Sequence, residues 1–145
     1  MLLIFISYLK LFIISFLAAT ILPLSSEIVL TTMLLTNLFE KNLLLILASS
    51  GNILGSVFNW YLGQKITIFQ DRKWFPVSPK QLNKSQKYFQ KYGLWSLLLA
   101  WVPVIGDPLT LLAGLLKVRF SIFFILVSIS KISRYIFIIY LVSFV

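Results

Sequence analysis

Glu27, Asp107, Lys131 and Arg134 are the residues best placed for chemistry, because each lies within or beside a long apolar run. An ionised side chain at mid-bilayer costs about 2.5–3.5 kcal/mol even on the mildest scales, so such groups turn inward and pair. Lys131 and Arg134 are three residues apart and fall on one face of a helix. Two acids and two bases can neutralise each other. They form either a buried ion-pair lock or a proton and substrate site. Burial raises a carboxyl pKa and a nearby cation lowers it. An anionic headgroup that engaged Lys131 and Arg134 would deprive the acids of their partners and favour protonation.

Other chemistry is poorly provided for. The chain has no cysteine and no histidine. This excludes disulfides and thiolates, and it removes the usual metal ligand and neutral-pH base. The four carboxylates are Glu27, Glu40, Asp71 and Asp107. There is no P-loop, dinucleotide fingerprint or Ser/His/Asp set. Ser25-Ser26-Glu27 places a hydroxyl beside a base but has no orienting histidine. The expectation is a protein that is not an enzyme and needs no cofactor or metal.

The elements that position these charges are apolar. Hydrophobic residues make up 59% of the chain and charged ones 12%, far below the roughly 25% that covers a soluble domain. Mean hydropathy is +0.96. The chain reads as a single membrane domain, residues 1–145. Residues 1–22 do not resemble a signal peptide, since the basic start is missing and Lys10 interrupts the run.

A membrane-crossing helix needs roughly 20 apolar residues. Residues 43–63 and 120–145 satisfy this, the second carrying Lys131 and Arg134. The remaining runs are broken. Residues 11–22 stop at Pro23-Leu24-Ser25-Ser26-Glu27 before 28–39 resume; residues 94–102 stop at Pro103-Val104-Ile105-Gly106-Asp107-Pro108 before 109–116 resume. Proline opens a helix, and opened backbone at membrane depth must line a cavity or lie inside protein. Pro23, Ser25, Ser26, Pro103, Gly106 and Pro108 therefore mark two re-entrant hairpins.

Each break has a proline four residues before its acid, and each hairpin is followed by a spanning helix. A hairpin adds no crossing and the helix adds one, so the second unit enters from the opposite face. The expected fold is an all-α integral membrane protein. Two re-entrant helical hairpins form an inverted repeat, each followed by a transmembrane helix, with an amphipathic basic helix between. Repeat 1 covers about 11–63, the basic segment 64–92 and repeat 2 about 93–145. Paired broken helices in inverted repeats are the binding-site signature of secondary transporters.

Net charge is +9, and most of the basic residues belong to one face. Lys65, Arg72, Lys73, Lys80, Lys84, Lys87 and Lys91 fill the central stretch, and Lys117 and Arg119 open the last helix. The positive-inside rule makes this face cytoplasmic. Ser78-Pro79-Lys80-Gln81 is a good helix start. Lys80, Lys84, Lys87 and Lys91 follow on one face and Leu82, Phe89 and Tyr92 on another. Such a helix lies on the membrane and contacts anionic lipid headgroups; the alternative is a solvated helix. A nucleic-acid partner is not expected of a basic loop hung between membrane segments.

Asn52, Ser56, Asn59 and Gly63 form a polar stripe in 43–63. The stripe lines a cavity or makes interhelical hydrogen bonds. Gly51-x-x-x-Gly55 permits close helix approach, either inside the chain or in a homo-oligomer.

Leu22-Pro23-Leu24-Ser25-Ser26-Glu27 resembles the Pro–small–acid turn of the DedA family, also called the VTT or SNARE-associated superfamily. Tyr92-Gly93, Trp101-Val102-Pro103 and Ala113-Gly114 match that family's second hairpin in spacing. Gly51-Asn52-x-x-Gly55, the run from Trp101 to Asp107, and Lys131 with Arg134 and Tyr135 look like its compact YqaA-like branch. The likeness covers nearly the whole chain. It implies two facing hairpins and lipid work in the bacterial cytoplasmic (inner) membrane: proton-linked transport of polyprenyl-phosphate carriers, or phospholipid scrambling as in eukaryotic relatives. Transporting members carry arginines flanking the second-hairpin proline. Here Ala100 and Gly106 stand there, and Ser15 stands where some members carry another acid.

The expected function is thus a small transporter of an anionic lipid or ion, coupled to protons. Its rival is a non-transporting membrane-organising protein in which the charges only lock the fold.

Overall fold

The computed structural model describes residues 1–20, 25–66, 87, 89, 91–102 and 106–144, all of them helical or in turns between helices. Pro23, Pro103, Lys80 and Lys84 lie outside the described residues, as does most of the basic segment. Lys87 and Lys91 are helical and exposed.

The helices whose bounds fall within the described residues are, in order, α1 (Leu2–Ala19), α2 (Ser26–Leu35), α3 (Lys41–Ile66), a 3₁₀ helix (Gly93–Trp101), α4 (Gly106–Leu115) and α5 (Phe120–Val142). Among them α1, α3 and α5 are long and apolar enough to cross a membrane. The sequence reading starts its first repeat near residue 11, whereas the helix begins at Leu2. Lys10 does not interrupt it, because a single exposed lysine on an otherwise apolar helix leaves the backbone hydrogen bonds intact.

Close backbone approach fixes the packing. A Cβ at Gly51 would collide with the Phe12 carbonyl, and one at Gly55 with the Phe16 carbonyl and the Ala19 side chain. This glycine pair therefore seats α1 against α3 within the chain, in the manner of small-residue helix contacts in membranes. On the same helix, Gly63 packs against the Leu111 carbonyl, and Gly114 of α4 against the Trp60 carbonyl. Helix α3 is the central post for both halves.

These contacts also give the directions. Phe12, Phe16 and Ala19 meet Gly51, Gly55 and Asn59 in rising order, so α1 runs alongside α3 in the same sense. The Tyr8 hydroxyl accepts a hydrogen bond from the Glu40 N–H at 3.0 Å, tying the start of α1 to the α2–α3 turn. Helix α5 runs the other way. Its Phe120 and Phe123 rings contact Trp60, while Tyr135 reaches Asn52.

Two apolar clusters follow. Leu11, Leu30, Met33, Leu34, Leu44, Ala48 and Tyr135 join α1, α2, α3 and α5. Leu97, Ala100, Ala113, Val118, Phe123 and Val127 join the 3₁₀ helix, α4 and α5. The outward faces of α1 and α5 remain apolar and exposed, including Phe5, Ile13, Ile125, Ile129 and Ile136. Exposure of this kind suits hydrocarbon rather than water.

Candidate functional site: two ion pairs on one helix face

Both acids stand in the first turn of a short helix. Ser25 caps α2, accepting from the Ile28 N–H at 3.4 Å, and Glu27 follows in the first turn. Gly106 opens α4, its N–H donating to the Val102 carbonyl at 2.9 Å, and Asp107 and Pro108 follow. A Cβ at Gly106 would strike the Ala100 carbonyl, so glycine is what lets the chain fold back so tightly. Pro108 falls where the helix has no use for an N–H. A carboxylate in the first turn is favoured by the free N–H groups and the positive end of the helix dipole.

Lys131 and Arg134 project from the facing stretch of α5. The Lys131 ammonium bonds to Asp107 Oδ1 at 2.8 Å, and the Arg134 guanidinium bonds to Glu27. All four candidate residues are thus brought together along one helix face, each base holding the acid of a different half. The two pairs are unequally covered. Lys131 is 1% exposed against 22% for Asp107, and Arg134 is 14% exposed against 33% for Glu27. In both pairs the acid is the more open partner.

A set of polar contacts lies beside each pair. Asn59 Nδ2 donates to the Ala19 carbonyl at 2.7 Å and to Thr110 Oγ1 at 3.1 Å, with the Asp107 carbonyl at 3.5 Å. Thr110 Oγ1 in turn donates to the Asp107 carbonyl at 2.7 Å. Asn52 Nδ2 donates to the Tyr135 hydroxyl at 3.0 Å, and that hydroxyl shares a 2.8 Å hydrogen bond with Ser26 Oγ. Ser56 is fully buried and donates to the Asn52 carbonyl of its own helix at 3.1 Å. The stripe on α3 thus makes hydrogen bonds to other helices through Asn52 and Asn59, while Ser56 bonds within α3.

Thr110 and Tyr135 were not singled out as site residues by sequence. Tyr135 carried a usable signal, lying four residues after Lys131 and so on the same face. Thr110 carried none, since one threonine in an apolar run is commonplace. Among the described residues no cluster of three or more metal-ligating side chains occurs.

Helices apolar on their outer faces, two short helices with an acid in the first turn, and bases on the facing helix define a class of integral membrane protein with paired charges in its interior. The VTT domain family matches residues 22–144. The chain is 35% identical over 130 residues to the inner membrane protein YqaA of Escherichia coli K12, covering 90% of this chain and 87% of that protein. It matches YqaA of Shigella flexneri to the same extent, and an uncharacterized protein of Haemophilus influenzae at 31% identity over 140 residues, 90% of this chain and 83% of that one. No solved structure matches. The chain belongs to the VTT-domain, or DedA, family. It is a YqaA-like protein of the inner membrane.

Proposed function

We propose that this protein moves or flips an anionic lipid or ion across the inner membrane, with proton coupling through Glu27 and Asp107. The observation that carries the reading is the pairing of two half-helix acids with Lys131 and Arg134 on one face of an apolar helix. Charges are costly in this setting and usually mark a substrate or proton path.

In this reading α1–α2 and the 3₁₀ helix–α4 unit are opposed re-entrant hairpins of an inverted repeat. Support comes from the contacts with α3. Helices α1 and α2 have their outer ends toward Lys41, while the 3₁₀ helix and α4 have theirs toward Ile66. Lys65, Lys117 and Arg119 lie at the Ile66 end and, with Lys87 and Lys91, would meet anionic headgroups on the cytoplasmic face.

An arriving anion meets Arg134 before the more deeply buried Lys131. It competes with Glu27 for the guanidinium, whose planar fork suits a phosphate. The displaced carboxylate then takes up a proton, which keeps the buried charge balanced. When the anion leaves, the proton follows and the pair re-forms.

Flux of a polyprenyl phosphate or anionic phospholipid in proteoliposomes, with and without an imposed pH gradient, tests this. Glu27→Gln and Asp107→Asn should each stop or uncouple flux, measured per molecule of protein inserted. Flux indifferent to the gradient, and unchanged per molecule by both substitutions, would favour the rival, a membrane-organising protein with charges that only lock the fold. In that rival the substitutions lower only the amount or the Tm of the protein.

A further inference from the structure

Beside the Glu27–Arg134 pair lies a buried polar cluster that the transport reading does not use. Ser15 of α1, Ser26 of α2, Asn52 of α3 and Tyr135 of α5 bring one polar side chain from each of four helices together. They are 0%, 3%, 3% and 0% exposed. Ser15 packs against Gly51, where an added Cβ would lie 3.2 Å from its own Cβ. Its hydroxyl lies near that of Tyr135 without completing a hydrogen bond.

Two of these side chains keep an atom with no hydrogen-bond partner among the described residues: Ser15 Oγ and Asn52 Oδ1. Turning the Asn52 amide over does not help. Its oxygen would then accept from Tyr135 and its nitrogen would be left over, because the side chain has two polar ends and one neighbour. A buried polar group left unmet has given up its hydration with nothing in return. Two such groups, each neighbouring the Tyr135 hydroxyl in a cluster reached from four helices, point to a ligand.

The ligand's chemistry follows from what is left over. Ser15 offers a hydrogen and a lone pair, and Asn52 offers an acceptor, so the occupant both donates and accepts. It is small, because Gly51 holds α1 hard against α3 here. It is also uncharged. Glu27 is already matched by Arg134 and Asp107 by Lys131, and a buried ion would have no counter-charge. We propose that this cluster is a binding site for a single water molecule, held by Ser15 Oγ and Asn52 Oδ1 against the Tyr135 hydroxyl. Buried waters typically make two to four such bonds to groups that are otherwise unmet.

The inference is independent of transport. It makes the two halves of the molecule different. Asp107's half is closed by direct contacts of Asn59 and Thr110, whereas Glu27's half is closed through water one residue along from both members of its ion pair.

The test uses the full chain in lipid nanodiscs. Difference infrared spectra after exchange into H₂¹⁸O should contain a shifted water stretch that is lost in Ser15→Ala, together with a Tm lower by about 4 °C. A dry cluster predicts the reverse. Ser15→Ala would then remove an unmet buried hydroxyl, leaving Tm equal or higher and the spectrum unchanged. Either of those results overturns the proposal. If Ser15→Ala fails to accumulate, the wild-type spectrum decides, and a spectrum without an exchange-sensitive buried water band counts against the site.

Discussion

Asn59 donates to the Ala19 carbonyl at 2.7 Å, and the same nitrogen reaches Thr110 Oγ1 at 3.1 Å. One amide on α3 therefore holds the end of α1 and the start of α4, so both halves are registered by a single side chain. Asn59→Leu keeps the volume and removes both bonds, leaving the Ala19 carbonyl without this donor while Thr110 keeps its bond to the Asp107 carbonyl. We expect a loss of about 1–3 kcal/mol, read as a lower Tm in detergent. Asn59→Leu at unchanged Tm would show that the amide does not register the halves.

The Lys131–Asp107 pair is expected to behave as a coupled unit. Removing one partner of a buried pair leaves an unpaired charge, a cost of about 3–5 kcal/mol, whereas replacing both with apolar groups is often neutral. Lys131→Met and Asp107→Leu should each lower Tm sharply, and the double variant should recover most of the loss. Additive losses in this double-mutant cycle would contradict the pairing.

Gly55→Leu should prevent α1 from seating, because even a Cβ there meets the Phe16 carbonyl and the Ala19 side chain. Gly93→Ala offers a control, since an added Cβ meets nothing within 4 Å, although its φ of +63° makes the substitution mildly strained. Accumulation in membranes should fall far more for Gly55→Leu. Equal yields would mean that the α1–α3 contact contributes little.

The chain's lack of cysteine makes topology directly measurable. Asn42→Cys at the start of α3 should react with an impermeant maleimide in intact spheroplasts, and Lys117→Cys should react only after permeabilisation. Both parent residues are exposed. The opposite labelling pattern would invert the orientation read from Lys65, Lys117 and Arg119.

Some of this architecture was written plainly in the residues. Long apolar runs placed α3 and α5, because hydrocarbon leaves few other uses for such a stretch. Charges that are costly in a bilayer singled out Glu27, Asp107, Lys131 and Arg134. Their pattern of partners was hidden, because Lys131 and Arg134 share one face and either acid could have met either base. The start of α1 was obscured by Lys10, whose charge interrupts hydropathy without interrupting the helix. Thr110 was invisible because its role depends on where Asn59 points, a tertiary fact. The winding of residues 93–101 was equally hidden, since a leucine-rich run favours the α-helix and gives no sign of a tighter turn.

That winding has a mechanical consequence. Nine residues from Gly93 to Trp101 form a 3₁₀ helix, a winding uncommon beyond three or four residues because its hydrogen bonds are poorly aligned. A 3₁₀ helix rises about 2.0 Å per residue and an α-helix about 1.5 Å, so this stretch is longer by roughly 4–5 Å than the same residues wound as α-helix. Its far end leads to Gly106 and Asp107, while Ser130 of α5 anchors its middle through the Leu98 carbonyl at 2.9 Å. Converting between the two windings would change the arm's length by nearly one α-helical turn without breaking any covalent constraint. The segment therefore reaches further along α5 than the same nine residues would as α-helix, with Ser130 holding its middle.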